Sequence, residues 1–148
     1  MTTDRVESDL ETLKSDLLAS RYLWNVRAWF GEWLRPVDRV TVDDLELFDR
    51  ARDAGELTYD QEADLRRADL LVKGRARPGT PLPDGDVVLV LEASATIDGG
   101  DVERAARRAA ILGRAGYTAV PVCGGFTLTQ AAATAAESLR VLVDLREP

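Results

Sequence analysis

Residues 86–116 read DVVLVLEASATIDGGDVERAARRAAILGRAG, and the rest of the chain arranges itself around them. The stretch opens with five consecutive apolar residues, Val87 to Leu91, rich in β-branched side chains. An unalternating run of that length is a strand covered on both faces, the centre of a sheet. Glu92 follows directly, and the period of two puts Ser94 and Thr96 on its face. Asp98-Gly99-Gly100 is a turn signal leading into a helix in which Val102, Ala105, Ala106, Ala109 and Leu112 share one side and Arg104, Arg107 and Arg108 occupy the opposite one. A carboxylate ending a buried strand, with arginines on the next helix, is a setting for phosphate chemistry. Such a carboxylate must reach solvent, a metal or an arginine, and an ion pair to Arg104 is the plainest of the three.

Upstream, Ala68 to Arg75 (ADLLVKGR) reads as a strand beginning at Asp69. The Pro- and Gly-rich loop between 75 and 86 makes it an antiparallel neighbour of the central strand, so Asp69 and Glu92 should converge at one edge of the sheet. Downstream, Tyr117 to Cys123 is a parallel strand ended by Gly124-Gly125. Thr127 with Gln130 forms a capping box opening an Ala-rich helix to about Leu139, and Arg140 to Leu145 supplies the last strand. Before this core, Arg39 to Val42 reads as a short strand. Thr41 with Asp44 caps a helix to about Ala54, ended by Gly55, and Thr58 with Gln61 caps another over 59–67.

At the N-terminus Val6, Leu10, Leu13 and Leu17 fall at spacings of four, three and four, a short heptad seam. It is either a self-association interface, making the protein a homo-oligomer, or a helix packed on its own domain. The helical pattern continues to about Leu34, where Arg35-Pro36 stops it, and Trp24, Trp29, Phe30 and Trp33 are expected to anchor it to the sheet. The domains read as 1–20, an N-terminal coiled-coil helix, and 21–148, an α/β domain with a mixed, mainly four-stranded sheet flanked by helices.

Composition narrows the chemistry. The 148 residues contain no histidine and one cysteine, Cys123, which removes Ser-His-Asp and Cys-His catalysis, His-ligated metals and internal disulfides together. Any metal must be held by oxygen, favouring magnesium, manganese or calcium. The net charge of −7 opposes indiscriminate coating of nucleic acid. The acidity sits in residues 1–65, with 16 acids against 8 bases, while residues 66–148 carry 10 against 11. Arg66, Arg67, Lys73, Arg75 and Arg77 stand close together with Asp69 the one acid among them, a run that also suits a solvated strand edge. No apolar run of about 18 residues and no secretory leader is legible, so the expectation is a cytoplasmic protein with no membrane span.

The order of helix, short strand, antiparallel pair bearing Asp then Glu, helix and strand resembles the PD-(D/E)XK nuclease superfamily, the restriction-endonuclease-like fold, over about residues 21–145. The run ADLLVKGR…LVLEASATIDGGDVERAARRA is similar to an uncharacterised bacterial branch that often carries an N-terminal coiled coil. The resemblance implies a metal-dependent nuclease, or a nuclease-derived nucleic-acid-binding protein, in which Asp69 and Glu92 hold Mg²⁺ (or Mn²⁺ as substitute) for phosphodiester hydrolysis. Two residues after Glu92, where the family places a lysine that assists the attacking water, this chain has Ser94. Lys14 and Lys73 are its only lysines, so Lys73 is the one core candidate for that role, at about 13 Å along the strand from Asp69. Ser94, Arg104 and Arg108 are the candidate phosphate contacts, although arginine cannot act as a base. The alternative is a catalytically degenerate scaffold that binds protein partners through its coiled coil.

Overall fold

The apolar run of the central strand forms β3 (Asp86–Ala93), in which every residue from Val87 to Leu91 is buried. The computed structural model describes residues 2–148. On one side β3 pairs antiparallel with β2 (Leu70–Ala76), which pairs antiparallel with the edge strand β1 (Leu34–Val40). On the other side it pairs in parallel with β5 (Ala119–Gly125), which pairs in parallel with β7 (Leu142–Leu145). The result is a mixed five-stranded sheet in the order β1-β2-β3-β5-β7, one strand more than expected. Two short strands, β4 (Thr96–Ile97) and β6 (Thr127–Leu128), pair with each other beside it.

Alternation along β3 feeds two apolar layers. Val87, Leu89 and Leu91 meet Leu18 and Tyr22 of helix α1 (Thr2–Trp24) and Phe30 of α2 (Val26–Phe30). Val88 and Val90 meet Phe48 of α3 (Glu46–Asp53), Leu65 of α4 (Tyr59–Arg66), and Ala109 and Leu112 of α5 (Gly99–Arg114). Helix α6 (Gln130–Leu139) adds Ala132 and Ala136 against Val102, Ala105 and Cys123. Glu92 continues the Val88–Val90 face, so it points toward the α5 layer. No helix is long and apolar enough to cross a membrane among the described residues.

Several local expectations are corrected by long-range packing. The first helix breaks at Asn25, and the segment ends at Phe30; Leu34 opens β1, which runs through the cis Arg35-Pro36 bond because its outer edge has no ladder partner. The division at residue 20 falls inside one continuous helix, since Leu18 and Tyr22 dock α1 onto the sheet. Trp24 anchors nothing, being 85% exposed, while Trp29 and Trp33 are half-buried beside the fully buried Tyr22 and Phe30. Thr41 and Asp44 cap a 3-10 turn (Val42–Asp44), after which Leu45 is extended and α3 begins. Thr127 belongs to β6, and Thr129 caps α6 by accepting from the Ala132 N–H at 3.1 Å.

Gly124 and Gly125 extend β5 instead of ending it. A Cβ at Gly124 would overlap the Tyr22 ring, so glycine here makes room for a helix side chain laid flat on the strand. The Tyr22 hydroxyl reaches past it and donates to Asp144 Oδ2 at 2.6 Å. Burial and the Asp144 carboxylate both hold the Tyr22 phenol well above its ordinary pKa.

Candidate functional site

Antiparallel register brings the two carboxylates together. Leu70 lies opposite Leu91, and the Asp69 N–H donates to Leu91 O at 3.1 Å, which puts Asp69 across from Glu92. Directly opposed residues share a face with Cβ atoms about 4.5–5.5 Å apart. Asp69 is also locked in place, because its Oδ2 accepts the Ala93 N–H at 2.8 Å. It opens to solvent, and beside it lies a cavity of about 280 Å³ lined by Arg39, Thr41, Asp43 and Arg66 among others.

Glu92 is 5% exposed. Its Oε1 accepts from Arg108 Nη1 at 2.6 Å, while Arg104 Nε stands 4.0 Å away, so the expected Arg104 pair is secondary to one with Arg108. Helix phase explains this. Arg108 lies three residues after Ala105 and four before Leu112, on the buried stripe and not on the opposite side, and it is itself 6% exposed. Its guanidinium also donates to Asp64 Oδ1 at 3.2 Å and to Arg67 O at 3.3 Å. Arg107 completes the bridge to α4 by donating to Asp64 Oδ2 at 2.7 Å.

Burial dominates the electrostatics. It pushes Glu92 up to about 7 against the opposing pull of Arg108, with Asp69 adding a like charge. Glu92 Oε2 is buried without a hydrogen-bond partner. Partial desolvation also raises Asp69 above the usual carboxylate range. Asp101 is not merely a first-turn acid. It is buried, its Oδ2 accepts the Asp98 N–H at 2.9 Å in a reciprocal capping box, its Oδ1 accepts from Arg104, and desolvation raises its pKa. Cys123, paired with Glu92 across β3 and β5, is fully buried, and burial pushes its thiol up to about 12, which favours the protonated form.

Asp69, Glu92, Arg104 and Arg108 therefore gather at one end of the sheet. Lys73 does not join them. It sits opposite Val88, four residues down β3 from Glu92, and lines a separate cleft with Asp86, Tyr117 and Thr118. Strand β3 ends at Ala93, Thr96 belongs instead to β4, paired with Thr127, and Ser94 donates its hydroxyl to Thr96 O at 3.0 Å. Asp64 is the member that reading the sequence missed, since it meets its arginines across separations of 43 and 44 residues and nothing in α4 signals them. Reading the sequence sets Arg108 on the wrong side of α5, although its spacing of three from Ala105 and four from Leu112 is the signal that sets it beside the buried stripe. Among the described residues no group of three or more Asp, Glu, His or Cys side chains is disposed to hold a metal ion. No known family, curated protein or solved structure matches this chain.

Proposed function

We propose that the Glu92 cluster is a nuclease-type phosphodiester site, with Asp69 and Glu92 the ligands of a divalent cation once nucleic-acid phosphate oxygens complete its shell. The observation that carries this reading is the pairing of two carboxylates on adjacent strands, one of which keeps a buried oxygen without a partner. An all-oxygen donor set of this kind suits Mg²⁺ or Mn²⁺. When bound, such an ion neutralises phosphate charge and acidifies water. The chain's own residues do the rest. Arg104, with its side chain 42% exposed, faces solvent to take a phosphate, and Arg108 holds Glu92 in position from the buried side. The cavity beside Asp69 offers Arg39 and Arg66 as further contacts, Arg66 being steadied by Asp43 at 2.9 Å.

Ser94 is engaged in its turn and Lys73 is remote, so neither supplies the assistance to an attacking water that the family's lysine gives. Positioned acid–base help is typically worth about 10²–10⁴ in rate, so turnover is slow even where binding persists. Cleavage and binding of plasmid and single-stranded DNA, with Mg²⁺ or Mn²⁺, compared among the natural chain, Glu92→Ala and Ser94→Lys, test this. The expected result is metal-dependent binding and weak cleavage that Glu92→Ala abolishes and Ser94→Lys raises. Inert protein in all three, with no metal-dependent binding, rejects the reading.

A second reading, a catalytically degenerate scaffold, draws on the 2.6 Å Arg108–Glu92 pair, which already gives one carboxylate oxygen a cation. In that case Glu92→Gln leaves every binding property unchanged and alters stability alone.

A further inference from the structure

An unassigned surface lies on α1, on the side turned away from the sheet. Val6, Leu10, Leu13, Leu17 and Trp24 are 63, 49, 64, 67 and 85% exposed. They succeed one another at spacings of four, three, four and seven. They thus form one a/d seam about 27 Å long at 1.5 Å per residue, interrupted by Ser20. The opposite side of the helix docks on the body through the buried Leu18 and Tyr22 and through Ser15, whose hydroxyl accepts the Ala95 N–H at 3.0 Å. At 3.6 residues per turn the two faces lie about 140° apart, so a second helix can follow the seam without meeting the sheet.

We infer that a second copy of this chain covers this seam, forming a parallel, in-register, two-stranded coiled coil. The inference is independent of the Glu92 site. The seam presents on the order of 600 Å² of apolar surface, the upper end of what a monomer leaves open. Two such faces give about 1,200 Å², the lower bound of a specific interface. Charge then selects the occupant and its direction. With Leu10, Leu17 and Trp24 at a and Val6 and Leu13 at d, Asp9 is a g residue and Lys14 the e residue five positions on. In a parallel pair Asp9 of each copy faces Lys14 of the other, an attraction made twice by the two-fold axis. Asp16 and Arg21 have the same relation. Arg21, however, lies over the Trp29 ring at 5.5 Å and donates to Glu147 O at 3.4 Å, so it is committed to its own body. An antiparallel pair would instead set Asp9 against Asp16, a repulsion that offsets the attraction it gives Glu7 and Lys14, so the parallel pair has the better charge balance. Glu7, Asp9 and Asp16 beside the seam also repel an anionic lipid surface.

Sedimentation equilibrium of the full chain tests this. The natural chain is expected to be a dimer, and Leu13→Asp a monomer with unchanged helical circular dichroism, because that side chain is exposed within each copy. Asp9→Lys should weaken the dimer about five- to thirtyfold, by turning two attractions into repulsions, and adding Lys14→Asp should restore it. A monomeric natural chain, whether or not it binds phosphatidylserine vesicles, overturns the second copy as occupant. A Leu13→Asp dimer overturns the seam, and tighter association of Asp9→Lys overturns the parallel direction.

Discussion

Replacing Glu92 by Gln should remove a pH dependence of folding stability that the buried carboxyl imposes. The group has an ordinary value of 4.5 and titrates at about 7 in the folded protein because burial disfavours its charged form. Between those values the folded state holds a proton that the unfolded chain has released, so stability falls as pH rises through the window and levels off above 7. From pH 5 to pH 8 the loss from this one group is about 2–3 kcal/mol, each unit of pKa difference being worth about 1.4 kcal/mol. Asp69 and Asp101, both raised by desolvation, act in the same sense but are common to both proteins. Urea unfolding at intervals from pH 5 to 8, analysed as a difference between natural chain and Glu92→Gln, isolates the Glu92 part. The difference should shift by about 2–3 kcal/mol in favour of Gln as pH rises. Parallel curves, with the two proteins offset by a constant amount, would refute the claim that burial outweighs the Arg108 ion pair.

Arg108→Ala leaves a buried carboxylate without its cation and should cost about 3–5 kcal/mol at pH 8, and distinctly less at pH 5 where Glu92 is protonated, as read by urea midpoints. Gly124→Ala should cost about 1–3 kcal/mol, because the new methyl displaces the Tyr22 ring, and much less in a Tyr22→Leu background, which a double-mutant cycle measures. Tyr22→Phe removes the hydroxyl from Asp144, which keeps Arg146 at 2.9 Å, so thermal unfolding should register a loss of only about 1 kcal/mol.

The sequence by itself determined the elements whose signals are local. Five apolar residues in a row make β3 a doubly covered strand, the short Pro- and Gly-rich loop makes β2 its antiparallel neighbour, and Thr58 with Gln61 caps α4 as spacing requires. The convergence of Asp69 and Glu92 follows from that pairing alone, since register in a two-strand ladder is fixed by the turn and the apolar pattern. Tertiary structure decided what depends on contacts between distant residues. Gly124-Gly125 looks like a strand end until Tyr22, about a hundred residues earlier, supplies the ring that only glycine leaves room for. Leu34 is helical by neighbourhood and a strand by its pairing with Ala76. The partner of Glu92 was settled the same way. Arg104 and Arg108 are equivalent in composition and one turn apart, and only the packing of α5 against β3 and α4 brings Arg108 within 2.6 Å and leaves Arg104 at 4.0 Å. Electrostatic energy at such separations changes steeply with distance and burial, quantities that a one-dimensional pattern does not contain.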